Sequence, residues 1–470
     1  MSAPNEIIIA PSINNRVKWC WLWRMTLSTH YPLSLSLIIS VLQWVDDVLA
    51  ILLALTARPD ELEVAMISVT YGNVSLQRCL RNAVALFHVL EKENAWRKSS
   101  GKPEGFEALK TSKPIVAVGA EHPLQEDILK ADDFHGSDGL HGVHEAHPDL
   151  TPADTWSSLF ASDGTHGETG SAEPPAFSPY FTPSKTPAHK EMLRILKESP
   201  EDTVTIVAVG PLTNVALAAA EDPQTFLRVK ELVVMGGAVH VEGNITPVGE
   251  FNCFADTVAA ARVYALTSPT PSSTMPPFIE GKSTLGPYPD KLPKRLLLSL
   301  FPLDITTPHL LNKSYFAQTI QPLMDAGSPL ARWIATFMFG TFNKIDSMVG
   351  DGSEPGLSLH DPLTIWYMLT RDDPAWKAVP KPEDIRIETA GQWTLGMHVI
   401  DRRNRSKPGE QQDGKVKTNP EDPMDAVEFD DVPNDNMSWL SVKKGNRINR
   451  IVESPGEDAF APYLMKRLFG

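Results

Sequence analysis

Length, composition and charge limit the classes of protein to which this chain can belong. It has 470 residues, a formal net charge of −15 at pH 7 and three cysteines that form no CxxC pair. The length permits one large α/β domain or several smaller ones, and the acidic balance argues against nucleic acid as a partner. Widely spaced cysteines fit a reducing compartment, so we expect a cytoplasmic protein.

The first 35 residues show no clear periodicity, and the first pattern of a strand followed by a helix begins at residue 36. Residues 19–45 are fairly apolar, but Arg24 and His30 interrupt them, so we expect no membrane span. The stretch "SLIISVLQWVDDVLAILLAL" (36–55) predicts a strand, a short turn and an apolar helix. The turn before Asp46 and Asp47 lacks the glycine or proline that such turns usually contain.

The paired carboxylates at the start of this helix have two interpretations. One aspartate can cap the helix, and the positive end of the helix dipole favours both. Alternatively, one carboxylate binds a hard cation and the other a hydroxylated ligand. The pair alone does not decide between them.

Four apolar runs, each followed by a glycine-containing turn, predict the core of the fold. They cover residues 62–73, 113–124, 202–220 and 228–240. Their alternation with helical patterns predicts an α/β fold in which helices flank a mainly parallel central sheet. Ligands of such sheets bind beyond the carboxyl ends of the strands.

The remaining segments predict additions to a single domain. Residues 157–187, 268–294 and 402–436 are rich in proline, serine or charge and predict long surface loops. Residues 385–403 predict two strands joined by a turn.

Two polar motifs follow the predicted strands. Asn73 in "YGN" is either a turn residue or a ligand contact. The glycine-rich run 134–149 suggests zinc, but no cysteine is near and the glycines would break an aligning helix, so a loop beside a polar site is preferred. Its histidines are His135, His141, His144 and His147.

Further polar residues come later in the chain. In "VAVGPLTN" the carbonyl of Val209, at the end of a strand, could serve as a metal ligand. The run "MGGAVHVEGNITPVGEFN" (235–252) combines amide and carboxylate groups with glycines, which suits hydrogen bonding to sugar hydroxyls. In "HDPL", Asp361 could cap a helix or bind a metal, and His360 could donate a proton near neutral pH.

Together these motifs resemble the inosine–uridine-preferring nucleoside hydrolase family. The motifs "DDVLAILLAL", "YGN", "HGSDGLHG", "VGPLTNVALA", "EGNITPVGEFN", "FPLDIT" and "HDPL" occur in the family's order between residues 46 and 401. The resemblance implies one α/β domain over residues 46–470, hydrolysis of a ribonucleoside to free base and ribose, and a homodimer or homotetramer.

The resemblance also implies roles for single residues. A bound Ca²⁺ would be held by Asp47, Asp361 and the Val209 carbonyl. Met235 would lie against the sugar, and His360 would lie near the leaving base, with His360 and Asp46 as the catalytic residues. The residues implied to hold ribose are Asp46, Asn73, Asn244, Glu250 and Asn252.

One departure from the family pattern concerns the segment before Asp46. The family has Asp-Thr-Asp-Pro-Gly-x-Asp-Asp, whose third residue is a calcium ligand and the expected general base. Residues 41–45 are Val-Leu-Gln-Trp-Val and contain no acid. Loss of a base typically costs roughly 10²–10⁴-fold in rate.

Two hypotheses account for the missing acid. Residues 1–9 resemble the family's first strand, so residues 10–45 could be an erroneous insert from a wrong gene model after Ile9, which makes 1–45 an aberrant or poorly ordered segment. Alternatively, the chain is a catalytically impaired relative that binds nucleosides or sugars on the same fold.

Overall fold

The computed structural model describes most of the chain after residue 34. The described residues are 35–41, 45–72, 74–129, 134–160, 180–277, 285–349, 352–403 and 434–470. Within them, no helix is both long enough and apolar enough to cross a lipid bilayer.

Nine strands form the central sheet in the order β10-β13-β7-β6-β5-β1-β2-β3-β4. Neighbouring strands are parallel except at the β10–β13 edge, as the continuous apolar runs predict. The strands of this sheet are β1 (Leu35–Val41), β2 (Leu62–Val69), β3 (Ile115–Val118), β4 (Thr182–Ser184), β5 (Val204–Ala208), β6 (Glu231–Met235), β7 (Leu298–Phe301), β10 (Lys377–Ala378) and β13 (Asn449–Glu453).

Two small antiparallel pairs lie outside the central sheet. One joins β8 (Leu310–Asn312) to β9 (Gly356–Ser358), and the other joins β11 (Arg386–Ile387) to β12 (His398–Val399). The second pair confirms the prediction of two strands joined by a turn within residues 385–403.

Helices cover both faces of the sheet. Alternate side chains of β1 enter two separate apolar clusters, with Leu37 and Ile39 in one and Ile38 in the other. The α-helices are α1 (Val45–Leu55), α2 (Leu76–Ser99), α3 (Ala108–Thr111), α4 (Val143–Ala146), α5 (Ala188–Glu198), α6 (Thr213–Glu221), α7 (Pro223–Phe226), α8 (Phe251–Ala255), α9 (Thr257–Ala265), α10 (Leu303–Thr306), α11 (Lys313–Asp325), α12 (Pro329–Val349), α13 (His360–Thr370) and α14 (Glu457–Phe469).

The first described strand lies before residue 46, where the sequence predicts that the domain begins. Strand β1 lies in the middle of the sheet between β2 and β5, and Ile38 pairs with both Met66 and Ile206. The side chains of residues 37–41 are fully buried because both faces of the sheet are covered. Residues 35–41 are therefore part of the central sheet, while residues 1–34 lie outside the described residues.

Each of the three predicted loops lies partly outside the described residues. Residues 161–179, 278–284 and 404–433 lie outside the described residues. Thr182–Ser184 lies within a predicted loop but forms edge strand β4, which pairs with β3. Three residues are too few to show a strand pattern, so backbone pairing with β3 decides the structure there.

Candidate active site

A cavity of about 380 Å³ opens beyond the carboxyl ends of β1, β5 and β6. The strand order reverses here, because β2 and β3 lie on one side of β1 and β5 and β6 on the other. Such a switch point separates the loops that follow neighbouring strands and leaves a crevice for ligands. Asp46 and Asp47 reach this crevice from the first turn of α1, which follows β1.

Three aspartates form the acidic floor of the cavity. Asp46, Asp47 and Asp361 each place a carboxylate oxygen within 4.8 Å of the others. Asp361 lies in the first turn of α13, which packs against α1. Two helix N-termini thus bring together carboxylates that are 314 residues apart in the sequence.

Burial and mutual repulsion make this floor electrostatically unfavourable without a cation. Burial raises the pKa of Asp361 well above its usual range, and the charges of Asp46, Asp47 and Glu250 raise it further. The pKa of Asp46 rises to about 6, first from burial and then from the charge of Glu250, although backbone N–H groups partly offset this. Each shift means that the ionised form lacks a compensating positive charge.

The donor set fits a hard divalent cation. Among the described residues lining the cavity there is no lysine or arginine. The backbone of Val209, just after β5, lines the same cavity, and its carbonyl oxygen accepts a hydrogen bond of 3.1 Å from Asn252 Nδ2. Carboxylate and carbonyl oxygens without sulfur or imidazole donors suit calcium or magnesium better than zinc.

Glu250 is held by three backbone N–H groups. It caps α8, and its carboxylate accepts hydrogen bonds from the N–H groups of Asn252 (2.9 Å), Cys253 (3.2 Å) and Gly237 (2.8 Å). Burial raises the pKa of Glu250, and these hydrogen bonds oppose that rise. Gly237 has a φ of +85°, and a Cβ there would meet the ring of His398 at 2.3 Å, so this turn requires glycine.

Hydrogen bonds to the backbone also fix the side chains of Asn244 and Asn252. Asn244 Oδ1 accepts a 2.9 Å hydrogen bond from the N–H of Phe251. Asn252 Nδ2 donates to the carbonyls of Val209 and Met235. Met235 is buried at the end of β6. These bonds orient amide groups beside the acidic floor before any ligand binds.

His360 also lines the cavity, and it is the first residue of α13. Its Nδ1 shares a 2.7 Å hydrogen bond with Thr306 Oγ1. Burial lowers the pKa of His360 to about 4, so the ring is neutral at pH 7. A neutral imidazole acts as a hydrogen-bond donor rather than as a charged acid.

Sequence reasoning missed the apolar part of the lining. It comes from Phe134 before the glycine-rich loop, Ile345 and Met348 in the last turns of α12, and Leu357 of β9. The amphipathic pattern of α12 was a signal for a helix, but nothing in it showed which end meets the cavity.

The histidines of the glycine-rich loop do not converge on a metal. His141 hydrogen bonds to Thr341, His144 to Asn82 and His147 to Thr336, so three of them attach the loop to α2 and α12. His135 lines the cavity. In the described part of the chain, the three aspartates are the one group with metal-site geometry.

Two parts of the predicted site lie outside the described residues. They are Asn73 and the turn 42–44. The structure does bring the other predicted residues to one cavity: Asp46, Asp47, Val209, Met235, Asn244, Glu250, Asn252, His360 and Asp361.

Fold and cavity define an α/β protein with an acidic, metal-compatible site beside groups suited to a sugar. The family model described as "Inosine-uridine preferring nucleoside hydrolase" matches residues 43–429, and the chain belongs to this family. Its members are metal-dependent hydrolases that act on small-molecule nucleosides, and this membership makes the chain a hydrolase of ribonucleosides.

Individual relatives agree with the family match. The pyrimidine-specific ribonucleoside hydrolase RihA of Klebsiella pneumoniae (strain 342) is 28% identical over 365 residues, 76% of this chain and 85% of the relative. RihA of Salmonella typhi has the same identity and coverage. Among solved structures, the plant nucleoside hydrolase PpNRh1 (TM-score 0.57, 19% identity) covers 92% of this chain and 98% of its own. The purine-preferring ribonucleoside hydrolase from Gardnerella vaginalis has the same TM-score and coverage at 20% identity, and both likenesses support the fold.

Proposed function

We propose that this chain hydrolyses the N-glycosidic bond of ribonucleosides with calcium bound by Asp47, Asp361 and the Val209 carbonyl. The observation that carries the proposal is the convergence of three aspartate oxygens within 4.8 Å in a cavity lined by no lysine or arginine among its described residues. When bound, calcium supplies activation of a water and a binding point for the ribose 2′- and 3′-hydroxyls.

The side chains around this floor would hold the ribose. Asp46, Asn73, Asn244, Glu250 and Asn252 accept and donate hydrogen bonds to its hydroxyls. Positive charge develops on the sugar as the bond breaks, and the nearby carboxylate and amide oxygens stabilise it.

The other end of the cavity would hold the base. Met235 packs against the sugar, and Phe134, Ile345 and Met348 provide apolar contacts for the base. The electron pair of the broken bond leaves on the base, and His360 assists this departure as a hydrogen-bond donor.

We further propose that turnover is weak in the chain as written. Counting back from Asp46, the third residue of the family motif falls on Leu42, which has no group that accepts a proton. Asp46 is then the carboxylate left to take the proton from water, which makes it and His360 the catalytic residues. The missing acid also favours the alternative, a binding protein without turnover. A wrong gene model would explain the missing acid equally well.

Location and assembly complete the proposal. Cysteine usage supports the cytoplasm, and the family resemblance supports a homodimer or homotetramer. A role in purine or pyrimidine salvage follows from the products, a free base and ribose.

Ribose release from inosine and uridine, with calcium or with a chelator, tests this function. We expect Asp361→Ala to abolish both ribose release and the stabilisation by calcium in thermal unfolding. Asp60→Ala removes an exposed carboxylate outside the site and should change neither. Full activity in Asp361→Ala contradicts the site, while calcium and nucleoside binding without any turnover in the wild type identifies the binding relative.

A further inference from the structure

None of the residues of the short helix α10 is among those that line the cavity, but its Thr306 bonds to His360. The helix belongs to the "FPLDIT" motif, which begins at Phe301, the last residue of β7. Hydrogen bonds to backbone groups hold it in place. The N–H of Leu303 donates to the carbonyl of Gly237 at 2.8 Å, and the Asp304 carboxylate accepts from the N–H groups of Val239 and His240, both at 2.9 Å. The helix is thus fixed to the loop that also positions Glu250.

Thr306, the last residue of α10, contacts His360 directly. Its side chain is fully buried, and its hydroxyl lies 2.7 Å from His360 Nδ1. Within the part of the chain that the structure describes, this is the one hydrogen bond of the Thr306 hydroxyl.

The hydrogen-bonding capacity of the two groups decides the direction of this bond. A hydroxyl has one proton to donate, and Nδ1 of an imidazole either carries a proton or presents a lone pair. If Nδ1 carried the proton, the buried hydroxyl proton of Thr306 would have no acceptor, which costs about 1–3 kcal/mol. If the hydroxyl donates to Nδ1, both groups are satisfied and the imidazole proton lies on Nε2.

We propose that Thr306 is a positioning residue that holds His360 in the Nε2–H tautomer. This inference rests on the proposed function, in which His360 assists the leaving base. As the C1′–N bond breaks, its electron pair moves onto the base, and the Nε2–H group donates a hydrogen bond that stabilises the charge. The opposite tautomer would present a lone pair at that place and repel the departing base.

Thr306→Val tests the proposal because valine keeps the shape of threonine and removes only the hydroxyl. Thr306→Ser, which keeps the hydroxyl, is the matched control. Two readouts apply to purified full-length protein: the ¹⁵N chemical shifts of the histidine ring nitrogens, assigned by comparison with His360→Gln, and the kinetics of two substrates. One substrate is inosine or uridine, and the other is p-nitrophenyl β-D-riboside, whose stable leaving group needs no donor.

We expect the wild type and Thr306→Ser to show His360 protonated on Nε2, and Thr306→Val to show a mixture of tautomers. Thr306→Val should lower kcat for the nucleoside roughly 10- to 100-fold, part of the full contribution of an acid–base group. KM and the rate on the p-nitrophenyl riboside should change little, because ribose binding and bond cleavage do not need the tautomer.

Three results would overturn the proposal. They are a wild-type His360 protonated on Nδ1, an equal loss on both substrates in Thr306→Val, and a loss in Thr306→Ser as large as in Thr306→Val. If the wild type cleaves neither substrate, the proposed function fails, but the NMR comparison still decides whether Thr306 fixes the tautomer. Thermal unfolding of each variant separates these outcomes from a loss of fold.

Discussion

At the scale of single residues, the described site holds several carboxylates close together, more than it can keep ionised without a cation. Burial raises the pKa values of Asp46, Asp361 and Glu250, and repulsion by neighbouring negative charges raises those of Asp46 and Asp361 further. A bound cation would offset this repulsion, so affinity for the metal depends on the charge of these carboxylates.

Leu42→Asp should raise turnover if the missing acid is the main defect. It restores a carboxylate at the third position of the motif, counted from Asp46. We expect ribose release from nucleosides to rise roughly 10²–10⁴-fold at saturating calcium, the usual contribution of an acid–base group. The measurement is the initial rate of ribose formation.

Gln43→Asp is the matched control for this gain. It adds the same charge one residue away, where the family motif has proline, and should leave the rate near that of the wild type. Equal rates for Leu42→Asp and the wild type would mean that the lost base does not limit this chain.

Residues within one contiguous motif could be predicted from the sequence, but residues that meet through the fold could not. Glu250 and Asn252 are two residues apart, and His360 and Asp361 are adjacent, so their motifs carry their proximity. Thr306 reaches His360 across 54 residues, and no local pattern signals that contact. The same holds for Met348, because the path of α12 past the cavity is set by tertiary packing.

At the scale of elements, β1 shows where local pattern is ambiguous. Residues 1–9 resemble the family's first strand and end in three isoleucines, and residues 35–41 have the apolar, β-branched composition of a central strand. In the structure residues 35–41 fill the position between β2 and β5. Pattern did predict β2, β3, β5 and β6, whereas β4 and β10, with three and two residues, are too short to show one.

Deletion of residues 1–34 distinguishes the two candidate strands. If residues 35–41 form β1, the shortened chain should fold, with a Tm within about 2–4 °C of the full-length protein, a shift that corresponds to about 1 kcal/mol. Ile38→Asp, which would bury a charge in the middle of the sheet, should then prevent folding.

The opposite pair of results would support the hypothesis of a wrong gene model. In that case residues 1–9 supply the strand, so the deletion unfolds the domain and full-length Ile38→Asp is tolerated. Sequencing the transcript across the codons for residues 9–47 gives an independent answer, because a message encoding an Asp-Thr-Asp-Pro-Gly turn would join Ile9 directly to Asp46.

At the scale of the whole molecule, burial shifts the pKa values of histidines and of a carboxylate in opposite directions. Burial lowers the pKa of His144, His360 and His398 to about 4, so these histidines cost stability as the pH falls below their unfolded values. Burial raises the pKa of Asp256 to about 7, with the charge of Glu126 adding to the rise. The overall pH dependence of stability is their sum, so one group must be isolated by difference.

Asp256 is well suited to that comparison because it lies outside the proposed metal ligands. It caps α9 by accepting a hydrogen bond from the N–H of Ala259, and it also accepts one from the hydroxyl of Thr213. Since its folded pKa exceeds its usual value of 3.8, its contribution to stability is fully present below about pH 4 and is lost as the pH rises to about 7.

Asp256→Asn should remove this loss while it keeps an oxygen to cap the helix. Relative to the wild type, we expect its free energy of unfolding to increase between pH 4 and 7 by up to about 4 kcal/mol, at about 1.4 kcal/mol per pKa unit, and to level off above. Urea unfolding with chelator at each pH measures the difference, in which the histidines cancel. Glu126→Gln removes the neighbouring charge and should give a smaller change of the same sign. If the free energy of unfolding of Asp256→Asn and of the wild type changed in parallel with pH, Asp256 would be ionised throughout this range.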